Sequence, residues 1–230
     1  MAQFSELDYG RNEFYPVSRM KKTLVLHSGG LDSTVCLLLA RESGAQVISL
    51  GIDYGQKHIV ELHYANVQCA KYGIERIMLK VAWNKPNLTV PINRSIEEMR
   101  QAVSPAFLPG RNALFLALAC AEAAAQSISE VWIGVNAVDF SGYPDCRPEF
   151  IASFQAMIST AIPNGPKIIS PLLHRSKPDI AREAKRLGIS RGETWSCYKP
   201  EVTEEGLRPC GRCDACILHD HAWVQVSLNS

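Results

Sequence analysis

The stretch Ser28-Gly29-Gly30-Leu31-Asp32-Ser33 decides the fold prediction, because it lies between a strand-like run and a helix-like stretch. The run from Thr23 to Leu26 is apolar and rich in strand-forming residues, and residues 33–42 place apolar side chains on one helical face. Two successive glycines let backbone N–H groups approach an anion closely, and a helix N-terminus adds partial positive charge. The pattern therefore predicts a phosphate-binding loop, although Gly-Gly with a serine also occurs in ordinary strand-to-helix turns.

Strand-like and helix-like segments alternate along the rest of the chain. Strands are predicted at residues 47–52, 77–79, 131–135 and 167–169, and helices at residues 58–72, 112–125, 148–162 and 177–187. The interval from Trp83 to Pro109 contains four prolines and is predicted to be a long loop. Short, continuously apolar strands separated by helices indicate an α/β fold with an open parallel sheet flanked by helices. Ligands in such folds bind beyond the carboxyl ends of the strands.

The composition predicts a soluble and nearly neutral protein. The chain has 230 residues, 47% of them hydrophobic, which is enough for a substantial core without disulfides. Its net charge of +1 argues against nucleic acid or an acidic membrane surface as a partner. The longest apolar run, residues 113–121, is too short to span a bilayer, and residues 1–20 lack the apolar core of a signal peptide. We therefore expect a cytoplasmic protein with no membrane partner, whose residues 1–20 form an N-terminal arm.

Four of the eight cysteines lie within twenty residues near the C-terminus. They are Cys197, Cys210, Cys213 and Cys216, with the spacing C-x12-C-x2-C-x2-C. Closely spaced thiolates suit a tetrahedral Zn²⁺ ion, and a site whose four ligands all come from the protein is structural. Closely spaced cysteines also bind iron–sulfur clusters, and metal analysis distinguishes the two. We predict one structural zinc ion per chain in a C-terminal segment, residues 191–230, that packs on an α/β domain, residues 21–190.

The remaining cysteines and two late histidines have less specific patterns. Cys36, Cys69 and Cys120 fall in predicted helices and are expected in the core. The Cys146 thiol lies in a turn-rich loop beside an arginine, and is either a packed loop thiol or a nucleophile. The pair His219 and His221 is expected to be exposed and not to bind metal.

The full hexapeptide Ser-Gly-Gly-x-Asp-Ser, directly after the first strand, resembles the pyrophosphate loop of the ATP pyrophosphatase (PP-loop) enzymes. The resemblance implies an adenine nucleotide alpha hydrolase-like fold of the PP-loop type. It also implies cleavage of ATP between its α and β phosphates, with AMP passed to a substrate oxygen. A carboxylate repels phosphate, so Asp32 is better suited to hold the Mg²⁺ that accompanies ATP or to fix the conformation of the loop. ATP-binding roles are implied for Leu26, His27, Ser28, Gly29, Gly30, Leu31, Asp32, Ser33 and Thr34.

Further motifs make the resemblance more specific. Together with the loop and the cysteine set, they are similar to those of the 7-cyano-7-deazaguanine synthase family of the queuosine pathway, over residues 23–218. These motifs are Tyr54-Gly55-Gln56-Lys57-His58, Phe107-Leu108-Pro109-Gly110-Arg111-Asn112 and Asp139-Phe140-Ser141-Gly142-Tyr143-Pro144-Asp145-Cys146-Arg147. The family reaction converts 7-carboxy-7-deazaguanine and ammonia to the nitrile with ATP, through an adenylylated acid and an adenylylated amide. One departure is His27, which stands where an apolar residue commonly precedes the loop.

Catalytic roles are implied for Asp32, Ser33, Lys177 and Arg111. Lys177 follows the fifth predicted strand and begins a helix, so it is the best candidate to neutralise the departing pyrophosphate, and Arg111 is a second. A solvated helix lysine and a loop salt bridge are the alternative interpretations of these two residues.

Substrate-binding roles are implied for Gln56, His58, Asp139, Tyr143, Asp145 and Arg147. The two aspartates could accept hydrogen bonds from the guanine-like edge, the tyrosine could stack on the ring, and the arginine could bind the carboxylate in a fork. Each of these loop residues could instead satisfy its own turn, and His58 could instead cap its helix.

Two other functions share parts of this pattern. One is a PP-loop tRNA-modifying enzyme, a thiolase or a lysidine-type ligase, whose zinc ribbon holds RNA, and the other is a binding module that consists of the ribbon alone. Both favour a basic tail, but residues 171–216 carry nine Lys and Arg against seven Asp and Glu. We therefore expect small-molecule partners, namely 7-carboxy-7-deazaguanine, ammonia and ATP, no nucleic acid, and a homodimer, as is common in the family.

Overall fold

The structure is a computed structural model that describes residues 21–56, 60–84, 88–136 and 143–228. The strands in these ranges are β1 Lys22–Leu26, β2 Gln46–Asp53, β3 Glu75–Lys80, β4 Glu130–Trp132, β5 Lys167–Ile169, β6 Glu201–Thr203 and β7 Gly206–Arg208. The helices are α1 Leu31–Glu42, α2 Val60–Tyr72, α3 Ile96–Gln101, α4 Arg111–Ala125, α5 Pro148–Ala161, α6 Lys177–Arg186 and α7 Asp214–Leu228. Short 3₁₀ turns lie at Pro144–Cys146 and Arg191–Glu193.

Strands β1 to β5 form one parallel sheet in the order β3-β2-β1-β4-β5. The register pairs Leu24 of β1 with Ile48 of β2 on one side and with Val131 of β4 on the other. The chain moves outward from β1 to β3 and then crosses back over β1 to form β4 and β5. Ligands bind in sheets of this kind at the carboxyl ends of the strands where this direction changes. The predicted open parallel sheet is confirmed, and the glycine-rich loop, residues 28–33, lies at this switch point.

The sheet is covered by helices on both faces, which explains its continuously apolar strands. Successive residues of β1 face opposite sides, so Leu24 packs with Leu116 of α4 and Phe154 of α5. Its neighbour Val25 packs in a second core with Ile180 of α6 and with residues of α1 and α7. The Cys36 and Cys120 thiols are fully buried in these two cores, as predicted.

The interval from Trp83 to Pro109 is not only a loop, because it contains helix α3. Ser95 caps this helix: its hydroxyl accepts the Glu98 N–H at 3.2 Å, and the Glu98 carboxylate accepts the Ser95 N–H at 2.6 Å. The preceding residues are joined to the C-terminal segment, since Arg94 forms an ion pair with Asp214 and Asn93 N–H donates to the Arg212 carbonyl at 2.8 Å. The middle of the interval is therefore joined to the C-terminal segment.

The C-terminal segment ends in helix α7, which the sequence analysis did not predict. Ala222, Trp223 and Val226 of this helix are buried in the same core as α1 and α6. This packing joins the C-terminal segment to the α/β core. The predicted domain boundary at residue 190 stays a prediction, and the predicted N-terminal arm, residues 1–20, lies outside the described ranges. In the described ranges, no helix is long and apolar enough to cross a membrane.

The burial of Trp223 predicts that α7 contributes to global stability. Trp223 is 8% exposed, so Trp223→Ala should lower the free energy of unfolding by about 3–5 kcal/mol. Its neighbour Val224 is 49% exposed, and Val224→Ala should change the free energy by less than about 0.5 kcal/mol. Urea unfolding of both variants measures this difference, and equal effects would contradict the packing.

Candidate active site

A cavity of about 510 Å³ opens at the carboxyl ends of β1, β2 and β4. The glycine-rich loop forms one wall through Ser28, Gly30, Leu31, Asp32 and Ser33. The other walls include residues from the β2–α2 connection, from helices α2, α4 and α6, from the segment before α5 and from the C-terminal segment. Among them are Tyr54, Gln56, Glu61, Arg111, Tyr143, Lys177, Trp195, Tyr198 and His219. The cavity therefore gathers the ends of distant segments around the loop.

The glycine-rich loop has a conformation that requires its first glycine. Gly29 has a φ of +94°, and a Cβ there would lie 2.3 Å from the backbone oxygen of Glu61. Gly30 is the N-cap of α1, and the Ser28 and Ser33 hydroxyl oxygens lie 3.2 Å apart. The helix N-terminus and two hydroxyls thus meet at the cavity, which is the arrangement that binds phosphate.

His27 lies in a hydrogen-bond network beneath the loop. Its ring is 2% exposed, Nε2 lies 2.8 Å from Gln68 Oε1, and Nδ1 lies 3.0 Å from Ser49 Oγ. Arg76 donates to Ser49 Oγ at 2.7 Å, so the serine proton points to Nδ1 and the His27 tautomer carries its proton on Nε2. Burial, aided by the charge of Arg76, lowers the pKa of His27 to about 3. His27 is therefore neutral and binds the protein through both ring nitrogens.

Gln68 connects His27 to the loop. With Oε1 facing His27 and Thr34, its Nε2 donates to the carbonyl oxygens of Gly29 at 3.3 Å and Glu193 at 2.6 Å. The Gly29 carbonyl also accepts the N–H of Trp195 at 3.0 Å. The Gly29 carbonyl is thus directed into the protein and away from the cavity, and the C-terminal segment takes part in holding it.

Asp32 and Lys177, which lie far apart in sequence, meet at the cavity. Lys177 Nζ lies 2.5 Å from Asp32 Oδ2, which also accepts the Asn136 amide at 3.1 Å. Lys177 is the first residue of α6, whose N-cap Ser176 forms a capping box with Asp179. Among the described residues, the other Asp32 oxygen, Oδ1, is buried without a hydrogen-bond partner. The structure brings these two predicted residues together and leaves one carboxylate oxygen for a further ligand.

Arg111 lies in a second, aromatic part of the cavity. Burial lowers its pKa, but Tyr54, Tyr198, Tyr143 and Asp145 together raise that pKa above its ordinary value. The Tyr54 ring packs against Phe115, with centroids 5.2 Å apart. A permanent cation surrounded by aromatic rings can bind a flat anionic molecule by stacking and charge.

The predicted substrate-binding residues occupy different places. Gln56 and Tyr143 line the cavity, whereas Asp145 and Arg147 do not. The Asp145 carboxylate accepts the backbone N–H of Asn112 at 3.1 Å and so caps α4, and Arg147 is exposed. The structure therefore favours the structural alternative for Asp145.

Two predicted site residues, His58 and Asp139, lie outside the described residues. Within the loop motif, Gly29 and Thr34 do not line the cavity. Thr34 is fully buried, and its hydroxyl donates to the Gly30 carbonyl at 2.8 Å. Their implied contacts with ATP stay predictions.

Two titratable cavity residues, Glu61 and His219, were not among the predicted site residues. Burial raises the pKa of Glu61 to about 7, against the opposing charge of Arg111 and a hydrogen bond with Gln56. The expectation that His219 is exposed was wrong, because its side chain is 13% exposed and Nε2 accepts the Trp223 indole N–H at 3.1 Å. Burial lowers the pKa of His219. Neither Glu61, in a helix, nor His219, near the C-terminus, lies in a sequence pattern that distinguishes it from a surface residue.

The four predicted metal ligands converge. The sulfur atoms of Cys197, Cys210, Cys213 and Cys216 lie within 4.8 Å of one another and could hold a metal ion. Backbone N–H groups point at them, since Lys199 and Cys210 donate to the Cys197 sulfur at 3.4 and 3.3 Å. Hydrogen bonds from the Cys197 and Cys216 thiols lower the pKa of Cys213. This donor set has the closed form of a structural site.

Comparisons with known proteins give the relatives of the chain. The family model described as "Queuosine biosynthesis protein QueC" matches residues 22–227. The "7-cyano-7-deazaguanine synthase 2" of Rhodopseudomonas palustris (strain HaA2) is 54% identical over 206 residues, which cover 90% of this chain and 98% of that one. The "7-cyano-7-deazaguanine synthase" of Myxococcus xanthus (strain DK1622) is 42% identical, covering 91% of this chain and 95% of that one.

Solved structures with a similar arrangement are more distant. The NMN synthetase from Francisella tularensis is 16% identical and superposes with a TM-score of 0.47, covering 75% of this chain and 63% of that one. The NH3-dependent NAD synthetase from Campylobacter jejuni is also 16% identical, with a TM-score of 0.46 over 75% of this chain and 66% of that one.

The fold and the site define a class: an α/β protein whose glycine-rich loop meets a cavity at the switch point of a parallel sheet, with a four-cysteine cluster beside it. Within this class, the chain belongs to the QueC family of queuosine biosynthesis proteins.

The buried state of His27 predicts an acid-dependent stability. Because the pKa is 6.5 in the unfolded chain and about 3 in the folded one, this contribution is complete above pH 6.5 and is lost as the pH falls towards 3. The slope is about 1.4 kcal/mol per pH unit, since one proton binds on unfolding. His27→Gln should lack this slope in unfolding curves between pH 6 and 4, whereas His63→Gln, at an exposed position of α2, should retain it. A wild-type slope in His27→Gln would contradict the network.

Proposed function

We propose that this protein converts 7-carboxy-7-deazaguanine and ammonia to 7-cyano-7-deazaguanine at the expense of ATP, with release of AMP and pyrophosphate. The observation that carries the proposal is the division of the cavity into two parts. One part contains the glycine-rich loop and the Asp32–Lys177 pair, and the other is aromatic and contains Arg111. The names of relatives at 54% and 42% identity support the product, 7-cyano-7-deazaguanine.

The reaction requires two activations of one carbon atom. A carboxylate is a poor electrophile, so transfer of AMP to one of its oxygens converts that oxygen into a leaving group, and ammonia then gives the amide. A second transfer of AMP, to the amide oxygen, allows that oxygen to leave as the nitrile forms. A single loop that binds ATP serves both transfers.

The phosphate end of the cavity supplies positioning and charge. Backbone N–H groups at the start of α1 and the hydroxyls of Ser28 and Ser33 would bind the phosphates of ATP. Lys177, held at the loop by Asp32, would stabilise the negative charge that develops on the departing pyrophosphate.

Magnesium fits the carboxylate at this end. The buried Asp32 Oδ1, which lacks a partner among the described residues, is an oxygen ligand of the kind that Mg²⁺ prefers. Asp32 would hold the ion that accompanies ATP, and the ion would neutralise phosphate charge there.

The aromatic end of the cavity would bind the deazapurine. Tyr54, Tyr143 and Tyr198 line it together with Arg111, which can pair with the substrate carboxylate. Arg111 was predicted as a second ligand of pyrophosphate, but its position among these rings favours the carboxylate. The reacting carbon atom would then lie between Arg111 and the glycine-rich loop.

Zinc is the metal that we propose for the cysteine cluster. Four sulfur ligands and N–H donors to two of them suit tetrahedral Zn²⁺. A closed site leaves no position for substrate, so the ion would stabilise the wall of the cavity that contains Trp195 and Tyr198. The near-neutral charge supports small molecules, not nucleic acid, as partners. We still expect a homodimer, and light scattering measures the oligomeric state.

The function is tested by mass detection of the nitrile after incubation with 7-carboxy-7-deazaguanine, ATP and ammonium. Asp32→Ala and Lys177→Ala should reduce formation of AMP and pyrophosphate by about 10²–10³-fold, because each removes charge stabilisation at the phosphates. Lys185→Ala, in the last turn of α6, is a matched control that should retain the wild-type rate. Wild-type turnover in Asp32→Ala would show that the site is elsewhere, and stimulation only by tRNA would favour the tRNA-modifying alternative.

The role of the cluster is tested by Cys213→Ser. This variant should lose the one zinc ion per chain expected from metal analysis and should have a lower melting temperature, because the ligands converge only in the folded state. Cys120→Ser, at a buried cysteine outside the cluster, should keep the zinc. Iron with sulfide in the aerobically purified protein would overturn the assignment of zinc.

A further inference from the structure

The proposed reaction, on which this inference rests, needs a proton acceptor both when the amide forms and when the nitrile forms, because ammonia carries three N–H bonds and the nitrile carries none. When ammonia adds to the acyl adenylate, nitrogen must lose a proton as the C–O bond to AMP breaks. When the amide is converted to the nitrile, nitrogen loses two further protons, one as the amide oxygen accepts AMP and the C=N bond forms, and one as the second C–O bond to AMP breaks. The acceptor must therefore lie in the cavity and be ionised near neutral pH.

Most titratable groups in the described part of the cavity wall are already engaged. His27 uses both ring nitrogens in the network beneath the loop. Asp32 is paired with Lys177, and Asp214 is paired with Arg94.

Two further groups are also engaged. The Cys197 sulfur belongs to the four-cysteine cluster. His219 accepts the Trp223 indole N–H at Nε2, and its Nδ1 lies 3.7 Å from Asp220, outside the cavity lining.

Glu61 is different, because it lines the cavity and its carboxyl group is close enough to Arg111 to feel that charge. It belongs to the first turn of α2, and its backbone oxygen lies against Gly29 of the glycine-rich loop. Gln56 hydrogen-bonds to its carboxyl group, and Arg111 and Tyr54 act on it electrostatically. Glu61 is thus next to the loop, where AMP would be transferred, through its backbone, and interacts with Arg111, where the substrate carboxylate would bind, through its carboxyl group.

We propose that the Glu61 carboxylate accepts the proton from nitrogen in both steps. In the first, the nitrogen lone pair forms the C–N bond, one N–H proton passes to Glu61, and the C–O electron pair leaves with AMP to give the amide. In the second, one amide N–H proton passes to Glu61 as the amide oxygen accepts AMP and nitrogen forms the C=N bond. After that proton has been returned to solvent, the remaining N–H proton passes to Glu61, the N–H electron pair forms the third C–N bond, and AMP again leaves with the C–O pair. Glu61 returns each proton to solvent.

The environment of the carboxyl supports this role. Burial raises its pKa to about 7, so Glu61 is a stronger base than an ordinary carboxylate and is still ionised in about half of the molecules at pH 7. A base whose pKa lies near the working pH transfers protons most efficiently.

The test separates adenylylation from the later steps by means of Glu61→Gln. This variant should keep the wild-type rate of pyrophosphate exchange into ATP that depends on 7-carboxy-7-deazaguanine, since adenylylation of the carboxylate needs no base at nitrogen. Formation of the amide and the nitrile should fall by about 10²–10⁴-fold, the usual effect of removing a general base. Hydroxylamine, a less basic nucleophile that is largely unprotonated at pH 7 and loses its proton more readily after attack, should restore formation of the acyl product. Glu97→Gln, in the first turn of α3 but exposed, is the matched control and should behave as wild type.

The pH profile provides a readout that a merely structural role would not change. At a fixed concentration of free ammonia, the wild-type rate of nitrile formation should rise as the pH increases through about 7, because Glu61 ionises there. Glu61→Gln should lack this rise. Nitrile formation at the wild-type rate in Glu61→Gln would overturn the proposal, and so would a loss of pyrophosphate exchange in parallel with nitrile. Absence of exchange in the wild-type protein would instead overturn the proposed function, and this inference with it.

Discussion

The carboxamide of Gln68 makes the hydrogen bonds on which the geometry of the site depends. It joins the His27 ring at the end of β1, the Thr34 hydroxyl in α1, the Gly29 carbonyl and the Glu193 carbonyl of the C-terminal segment. A buried polar group of this kind is stable only when all its hydrogen bonds are made, so the four segments fix one another. Because Gly29 directs its carbonyl towards Gln68, the N-terminus of α1 is left to face the cavity.

The same constraint makes the C-terminal segment part of the site. Trp195 N–H donates to the Gly29 carbonyl, and Trp195, Cys197 and Tyr198 line the cavity. Cys197 is also a member of the cysteine cluster. Two further contacts, between Arg94 and Asp214 and between Asn93 and Arg212, attach the segment before α4 to the cluster. A metal ion bound by the cysteines would therefore stabilise the walls at the reacting end of the cavity, although it would not contact substrate.

Local patterns predicted the elements that depend on local chemistry. The glycine-rich loop, the parallel sheet, the converging cysteines and the place of Lys177 all followed from short motifs and strand order. The capping box of α3 was present as Ser95-x-x-Glu98 but was obscured by prolines around it. Contacts between residues far apart in sequence could not be predicted. His27 and Gln68 are 41 positions apart, and Asp145 caps α4 through Asn112, which is 33 positions away. The sequence around Glu61 is typical of an exposed helix face, and only the folded structure shows that Glu61 lines the cavity.

The central claim is that AMP is transferred twice, each time to an oxygen that the substrate then loses. It is tested most directly with 7-carboxy-7-deazaguanine labelled with ¹⁸O at both carboxylate oxygens, with mass analysis of AMP and nitrile. The account predicts two AMP molecules for each nitrile, each with one ¹⁸O in its phosphate. Recovery of either label in water or pyrophosphate, or one AMP for each nitrile, would contradict it.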